Sequence, residues 1–320
     1  MSARAIVTGG AGFIGSHVVD ALLARDYEVT VVDDLSSGAA EQVAPEAQLR
    51  RVDIVQRDAL DAVFAEASPT AVFHLAAQAS VVASVQDPGR DCDVNVKGTL
   101  NVVDAAGRFG APVVFTSTGG ALYGDDAPRP TPEDHPALPL SPYGASKLGG
   151  EAYVRTWSAS SSLDHAVCRL GNVYGPRQNP HGEAGVVAIF AHHLLSGQAP
   201  TLYGHGKPTR DYVYVGDVVG ALLEALGRSG TYNIATGVET DVLTIWNGLR
   251  DAALQAGDSP GGVDVAAIEP RLADLRPGEL QNSCLDASRA RRELDWQAEV
   301  PITEGLRITF ESFSKEFQRA

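Results

Sequence analysis

The sequence predicts an α/β fold in which a doubly wound parallel sheet is joined to a smaller mixed α/β domain. In the first half, short β-branched runs alternate with helical patterns, as expected for parallel strands with crossover helices. The first of these runs ends in glycines directly before a helical pattern, which indicates a strand, turn and helix unit. With 320 residues, the chain is long enough for one large domain or two closely joined ones.

Composition and charge exclude several classes of protein. The chain is 44% hydrophobic, and no apolar stretch approaches the roughly 18 residues of a membrane span. Its net charge of −15 argues against nucleic acid and anionic membrane surfaces as partners, since both bind basic patches. We therefore expect no nucleic-acid or membrane partner.

The cysteines and the N-terminal residues favour a cytoplasmic protein. Cys92, Cys168 and Cys284 lie far apart, which suggests neither a disulfide framework nor a zinc site, so we expect no metal. The N-terminal residues lead almost directly into a strand, without the pattern of a signal peptide.

The first strand and helix predict a dinucleotide site. A strand over residues 3–8 is followed by a glycine turn over residues 9–15 and a helix through Leu23. Glycines allow a tight turn and a close approach to a pyrophosphate, which then meets N–H groups at the helix N-terminus. The next strand, over residues 28–32, ends in Asp33, at the distance expected for a carboxylate that binds the adenosine ribose. Together these features predict a Rossmann-type sheet.

Asp33 also bears on the choice of cofactor. A carboxylate repels a 2′-phosphate, and residues 34–38 bring no arginine or lysine to offset that repulsion. The sequence therefore favours NAD over NADP.

The next two strands supply further candidates for cofactor contacts. A third strand over residues 49–52 ends at Asp53-Ile54, which is either an adenine contact or a solvated strand end. A fourth strand over residues 72–75 opens into Ala76 and Ala77, whose small side chains permit a close approach of the cofactor.

A long helix is predicted over residues 93–109, and Asn95 is an inward-facing polar residue of this helix. A fifth strand is predicted to follow over residues 112–116. That strand leads into Ser117 and Thr118. Ligands of doubly wound sheets bind at the carboxyl ends of the strands, so either hydroxyl could hydrogen-bond a substrate.

Tyr143 and Lys147 are the candidate catalytic pair. Pro142 predicts a helix start, and residues four apart on a helix lie roughly 5–6 Å apart at Cβ. Lowering a phenol pKa from about 10 to near 7 requires about 4 kcal/mol, and burial alone would act in the opposite direction. We therefore expect Lys147, together with an oxidised nicotinamide, to stabilise the phenolate.

With these motifs in their order, the chain resembles the extended short-chain dehydrogenase/reductase family, and within it the UDP-glucose 4-epimerases. The resemblance covers almost the whole chain. Its first-half motifs are Gly9–Gly15, Asp53-Ile54, Ser117-Thr118 and Tyr143-x-x-x-Lys147. Its second-half segments are Arg169–Gln178, Gly182–Phe190, Arg210–Val215 and Arg276–Glu279.

The resemblance implies three sets of site residues. The catalytic residues would be Tyr143, Lys147 and one of the two hydroxyls, Thr118 or Ser117. NAD would contact Gly9, Gly12, Phe13, Ile14, Gly15, Asp33, Asp34, Ser37, Gly38, Asp53, Ile54, Leu75, Ala76, Ala77, Asn95, Tyr143 and Lys147. The UDP-hexose would contact Thr118, Tyr143, Asn172, Gly185, Val186, Val187, Phe190, Tyr203, Arg210, Arg276, Glu279 and Ser283. Glu279 departs from the aspartate that most relatives carry.

The family's organisation implies two domains and a homodimer. Residues 1–171, with 212–235 returning to them, would bind NAD. Residues 172–211 and 236–320 would bind the sugar nucleotide. The dimer would pair the helix over residues 93–109 and the helix after Tyr143 across a two-fold axis.

The implied reaction interconverts UDP-glucose and UDP-galactose at C4 through a 4-keto intermediate. Because Ser283 is small, UDP-N-acetylhexosamines are expected substrates as well. A UDP-glucuronate 4-epimerase shares these motifs and stays open as the alternative. An NDP-sugar 4,6-dehydratase is disfavoured because Gly119, Gly120 and Ala121 stand where that enzyme carries an acidic pair. A catalytically silent NAD-binding protein is disfavoured because both Tyr143 and Lys147 are present.

Overall fold

The computed structural model describes residues 3–181, 185–257, 263–275 and 280–319. Its strands are β1 (Arg4–Thr8), β2 (Glu28–Asp33), β3 (Gln48–Arg51), β4 (Ala71–His74), β5 (Val113–Thr118), β6 (Ala166–Leu170), β7 (Asn172–Tyr174), β8 (Thr201–Tyr203), β9 (Thr209–Arg210), β10 (Tyr212–Tyr214), β11 (Gly230–Ile234), β12 (Thr240–Asp241) and β13 (Arg271–Ala273).

The central sheet has seven parallel strands in the order β3-β2-β1-β4-β5-β6-β11. The strand order reverses between β1 and β4, and ligands of such sheets bind outside the carboxyl ends of the strands at this switch point. This sheet confirms the predicted doubly wound fold.

Helices lie on both faces of the sheet. They are α1 (Phe13–Leu23), α2 (Arg57–Ala67), α3 (Val81–Gln86), α4 (Pro88–Cys92), α5 (Thr99–Arg108), α6 (Pro142–Ser161), α7 (Val186–Leu195), α8 (Val215–Glu224), α9 (Val242–Ala256), α10 (Ser288–Glu293) and α11 (Ile302–Phe317). One core joins the sheet to α1 and α8, and another joins its opposite face to α2 and α5.

A third hydrophobic core lies among α7, α9 and α11, around Trp246 and Phe310. Three two-stranded sheets accompany it, two parallel and one antiparallel. This is the smaller mixed α/β part of the predicted fold. None of the described helices combines the length and apolar character needed to cross a membrane.

Some predicted boundaries differ from the observed ones. Strands β3 and β4 each begin and end one residue earlier than predicted, and β5 continues through Ser117 and Thr118. The predicted helix over residues 93–109 starts as a π-helix, Asp93–Gly98, before α5. Helix α9 extends through Ala256, and residues 258–262 lie outside the described part of the chain.

Candidate active site

A cavity of about 660 Å³ opens at the carboxyl ends of the central strands, above the glycine turn. Gly9 has φ +72°, and a Cβ there would lie 2.6 Å from the backbone nitrogen of Ala76. The turn can therefore pass this close to the end of β4 only because it lacks a side chain. The predicted cofactor residues that line the cavity are Gly9, Gly12, Phe13, Ile14, Gly15, Asp33, Asp34, Ser37, Gly38, Asp53, Ile54, Leu75, Ala76 and Ala77.

Asp33 is buried at the end of β2 and is held by the glycine turn. Its Oδ2 accepts a hydrogen bond from the Ala11 N–H at 3.0 Å, and its Oδ1 accepts one from the Leu35 N–H at 2.9 Å. Burial raises the pKa of this carboxyl, while the two backbone donors favour its charged form. The carboxylate is thus fixed at the cavity wall, where a ribose hydroxyl could donate to it.

Arg90 is a cavity residue that the sequence analysis missed. Its Nη2 lies 3.0 Å from Asp53 Oδ2 and 3.8 Å from Asp34 Oδ2. The cation comes from α4, far along the chain from β2, so the local sequence around Asp33 gave no sign of it. The carboxylates of Asp34 and Asp53 therefore both offset the positive charge of Arg90.

Arg177 is the second cation of the cavity wall, and it follows β7 in a segment to which the sequence analysis gave no separate role. Its backbone has φ +66°, and its Nη2 donates to Asp20 Oδ2 at 2.6 Å. Its Nη1 is buried and has no hydrogen-bond partner among the described residues. The guanidinium could therefore meet an anionic ligand in the cavity.

Tyr143 and Lys147 lie one turn apart at the start of α6. Pro142 is the first residue of this helix, and Ser141 caps it by accepting a hydrogen bond from the Gly144 N–H at 3.1 Å. Tyr143 is partly buried, whereas Lys147 is 3% exposed, and its Nζ lies 4.3 Å from the Phe115 ring centroid. The helix start thus fixes the spacing of the phenol and the ammonium.

Burial dominates the pKa values of this pair in the ligand-free protein. It raises the pKa of Tyr143 to about 12, although a hydrogen bond with Thr118 opposes the rise. It lowers the pKa of Lys147 to about 8, against the attraction of Glu151 and Asp91. Lys147 alone therefore does not bring the phenol pKa down towards 7, because desolvation of the phenolate is the larger effect.

Ser117 and Thr118 have different neighbours. The Ser117 hydroxyl donates to Glu151 Oε1 at 2.6 Å in the interior, where Glu151 also binds Arg169. The Thr118 side chain is the hydrogen-bonding neighbour of Tyr143. Of the two candidate hydroxyls, the structure brings only Thr118 to the phenol.

Asn95 lies behind the cavity wall. Its Oδ1 accepts from the Gln78 N–H at 3.0 Å, and its Nδ2 donates to the Gln78 carbonyl at 2.9 Å. The same Nδ2 lies 3.0 Å from Ser146 Oγ. The predicted cofactor contact is therefore an internal bridge between the cavity-lining residue Gln78 and α6.

The predicted substrate residues surround the carboxyl end of β6 and the start of α7. Asn172 opens β7, and its Oδ1 lies beside Gly120. Gly185 precedes α7, Val186 and Val187 begin it, and the Phe190 side chain is buried in the core of the smaller part. Arg276 and Glu279 lie outside the described residues.

Arg210, Ser283 and Tyr203 complete the candidate substrate residues. The Arg210 Nη atoms donate to the backbone carbonyls of Thr209, Leu280 and Gln281. Ser283 lines a small cleft together with Gly119 and Tyr123, and Tyr203 is 37% exposed. Among the described residues, no group of three histidine, cysteine or acidic side chains is placed to hold a metal ion.

Comparisons with known proteins agree with this geometry. UDP-glucose 4-epimerase from Mycolicibacterium smegmatis is 44% identical over 323 residues, spanning 98% of this chain and 100% of that protein. The crystal structure of UDP-glucose 4-epimerase with UDP-glucose from Thermotoga maritima has a TM-score of 0.92 and 42% identity, covering 98% of this chain and 99% of that one. The UDP-glucose 4-epimerase complex with NAD from Thermus thermophilus has a TM-score of 0.86 and 42% identity, covering 97% and 98%. A profile of the NAD dependent epimerase/dehydratase family matches residues 5–235. The chain therefore belongs to the NAD dependent epimerase/dehydratase family.

Proposed function

We propose that this protein is an NAD-dependent 4-epimerase that interconverts UDP-glucose and UDP-galactose. The observation that carries the proposal is that Thr118, at the end of β5, hydrogen-bonds Tyr143 at the start of α6, one turn before Lys147. The dinucleotide cavity opens at the same carboxyl edge of the sheet, although these three residues are not among those that line it. The relatives that share 42–44% identity over nearly the full length are UDP-glucose 4-epimerases, which supports the same conclusion.

The proposed reaction begins with removal of the proton from the sugar's 4-hydroxyl by Tyr143. NAD held in the cavity above the glycine turn would supply the acceptor for the C4 hydride and the donor that reduces the 4-keto sugar again on its opposite face. Lys147 supplies positive charge beside the phenolate, and Thr118 orients the hydroxyl. Because burial raises the pKa of Tyr143, stabilising the phenolate requires positive charge beyond that of Lys147. When the hydride returns, Tyr143 gives its proton back to the sugar oxygen.

In the proposed complex, the protein binds the nucleotide part of the substrate tightly and the sugar loosely. Asn172, Arg210 and Arg276 would bind the diphosphate by charge-assisted hydrogen bonds. The start of α7 and Tyr203 would hold the uracil, and Glu279 would meet the ribose. We assign NAD binding to residues 1–171 with 212–235, and sugar-nucleotide binding to residues 172–211 with 236–320.

The sugar range is the finer part of the proposal. Ser283 lines the small cleft beside Gly119 and Gly120. We infer the tolerance of an N-acetyl group at C2 from the short side chain of Ser283 alone. UDP-N-acetylglucosamine is therefore a proposed substrate. UDP-glucuronate is the alternative substrate, and it would need a cation near the sugar's C6.

We also propose a homodimer located in the cytoplasm. Phe109, which follows α5, and Tyr153 on α6 are 38% and 37% exposed, so each of these two neighbouring segments offers apolar surface to a second copy. The three cysteines are free thiols, which suits a reducing compartment. Light scattering of the purified protein measures the subunit number, and a monomer would refute the dimer.

The test is an assay of the purified protein against UDP-glucose, UDP-galactose, UDP-N-acetylglucosamine and UDP-glucuronate. We expect UDP-glucose and UDP-galactose to reach equilibrium, and denaturation of the protein to release NAD.

Tyr143→Phe should abolish turnover while the variant keeps its NAD, because only the proton acceptor is lost. Normal turnover by Tyr143→Phe would refute the mechanism, and activity on UDP-glucuronate alone would favour the alternative.

A further inference from the structure

Asp91 is a buried carboxylate that the proposed mechanism does not use. It lies in α4 and is 1% exposed. Its Oδ1 accepts hydrogen bonds from Gln78 Nε2 at 2.7 Å and from Asn95 Nδ2 at 3.1 Å. Burying a charge without a countercharge costs desolvation free energy. The position of Asp91 in the interior therefore calls for an explanation.

The hydrogen bonds of Asp91 lead to the helix of the catalytic pair. Asn95 Nδ2, which binds Asp91, is also 3.0 Å from Ser146 Oγ, and Ser146 donates to the Tyr143 carbonyl at 3.0 Å. On its other side, Gln78 lines the dinucleotide cavity. Asp91 therefore lies between the cavity wall and the first turn of α6.

The charges that act on Lys147 come from three elements. Glu151, on α6 itself, and Asp91, on α4, are the carboxylates that attract its charge. His74 on β4 is a titratable neighbour of Lys147, and Tyr143 lies one turn before Lys147 on α6. Burial lowers the pKa of His74 to about 3, so this side chain is neutral near pH 7.

The two carboxylates differ in how their charge is balanced. Glu151 accepts from Arg169 Nε and Nη2 at 2.9 and 2.7 Å and from Arg155 Nη1 at 3.2 Å, so cations already offset its charge. Asp91 binds only neutral amides, and no described lysine or arginine forms an ion pair with it. Its charge is therefore the uncompensated one near Lys147.

We propose that Asp91 is a positioning residue that keeps Lys147 in the ammonium form and so sets the pH range in which Tyr143 and Lys147 act. The two side chains are not in direct ion-pair contact, and the attraction acts through the buried space between α4 and α6. This inference rests on the roles of Tyr143 and Lys147 in the proposed function.

The first test is the pH profile of kcat for Asp91→Asn, which removes the charge and keeps the size. Without the negative charge, Lys147 loses its proton at lower pH and Tyr143 also loses its proton at lower pH. Both limbs of the profile should therefore move to lower pH, by about one unit. Ser146→Ala is the matched control, because it breaks the same network without changing a charge, and its limbs should stay in place. An unmoved profile for Asp91→Asn would overturn the proposal.

The second test does not depend on the reaction. Asp91→Asn, Lys147→Met and the double variant are compared by thermal unfolding at pH 7 in the absence of NAD. If the two charges attract each other, the double variant loses less stability than the sum of the two single losses. Strict additivity would overturn the proposal even in an active enzyme, and coupling would support it even if the sugar substrate proved different. If Asp91→Asn does not fold, the double variant should fold, and its failure to do so would count against the proposal.

Discussion

At the scale of the residue, the adjacent side chains of Ser117 and Thr118 differ in role because they hydrogen-bond different residues of α6, Glu151 and Tyr143 respectively. Ser117 is buried, and its hydroxyl satisfies Glu151 in the interior. Thr118 ends β5 on the side where Tyr143 lies. We therefore assign the orientation of the 4-hydroxyl to Thr118 and a structural role to Ser117.

Thr118→Ala should lower kcat near pH 7 by about tenfold or more, since a hydrogen bond to a charged group contributes about 1.5–3 kcal/mol. The hydrogen bond from Thr118 lowers the pKa of Tyr143, so its loss should move the acid limb of the pH profile to higher pH. The measurement is kcat as a function of pH for the wild type and the variant.

Ser117→Ala is the matched control for this prediction. It removes a neighbouring hydroxyl that does not contact Tyr143, so the pH profile should keep its position. Glu151 would lose a buried donor, and we expect a loss of about 1–3 kcal/mol in the free energy of unfolding. A shifted profile in Ser117→Ala with an unchanged one in Thr118→Ala would reverse the assignment.

At this scale, the site features that could not be predicted from the sequence are those that depend on the folded structure. The i, i+4 spacing of Tyr143 and Lys147 could be predicted from Pro142 and the helix period. The size of the burial effect on the Tyr143 pKa could not, because it depends on how deeply the folded chain buries the phenol. Arg90 and Arg177 were missed because the fold brings them to the cavity from distant segments.

At the scale of the element, the turn between β1 and α1 is specified by its own residues. The glycines, the helix that follows and Asp33 at the end of β2 predicted this unit, because all of its determinants are close in sequence. The end of β5 was predicted less well. Ser117 and Thr118 are strand residues that pair with Arg169 and Leu170 of β6, and such long-range pairing leaves no local signal.

Gly9→Ala should abolish NAD binding and destabilise the protein. The backbone has φ +72°, and the new Cβ would lie 2.6 Å from Ala76 N and 2.8 Å from the Leu75 carbonyl carbon, both of them backbone atoms with little room to move. The NAD content of the purified variant and its thermal unfolding midpoint are the measurements.

Gly107→Ala is the control for this prediction, because Gly107 lies inside α5 and its nearest neighbour would be 3.8 Å from the added Cβ. It should keep NAD and gain up to about 1 kcal/mol from helix propensity. Full NAD content in Gly9→Ala would contradict the role given to the turn.

At the scale of the whole molecule, the cavity lies along the carboxyl edge of the central sheet, and its wall also includes Arg177 and Gly185, from beyond β7. The parallel sheet with helices on both faces follows from the alternation of strands and helices in the first half, which is why the fold class could be predicted. The narrow cleft at Ser283 could not be predicted, because two segments distant in sequence, residues 119–131 and 280–283, form it.

NAD should raise the thermal unfolding midpoint of the ligand-free protein, whereas NADP should not. A ligand that binds only the folded state stabilises it by about 2.7 kcal/mol at a hundredfold excess over Kd. The Asp33 carboxylate at the cavity wall would repel a 2′-phosphate, and the nearby charge of Arg90 is shared by Asp34 and Asp53. Thermal unfolding with each dinucleotide measures this, and equal shifts would refute the preference for NAD.

The late position of the edge strand β11 in the chain affects the central sheet during translation. Among the described residues, β6 is its only partner in the central sheet, yet about sixty residues separate the two strands in the chain. While a ribosome is still translating that interval, the fully buried strand β6 has an open hydrogen-bonding edge. An open edge is a template for pairing with other chains. The glycine turn and α6, which carries Tyr143 and Lys147, are therefore synthesised well before the central sheet is complete. A nascent chain that pauses in this interval is the form most exposed to aggregation.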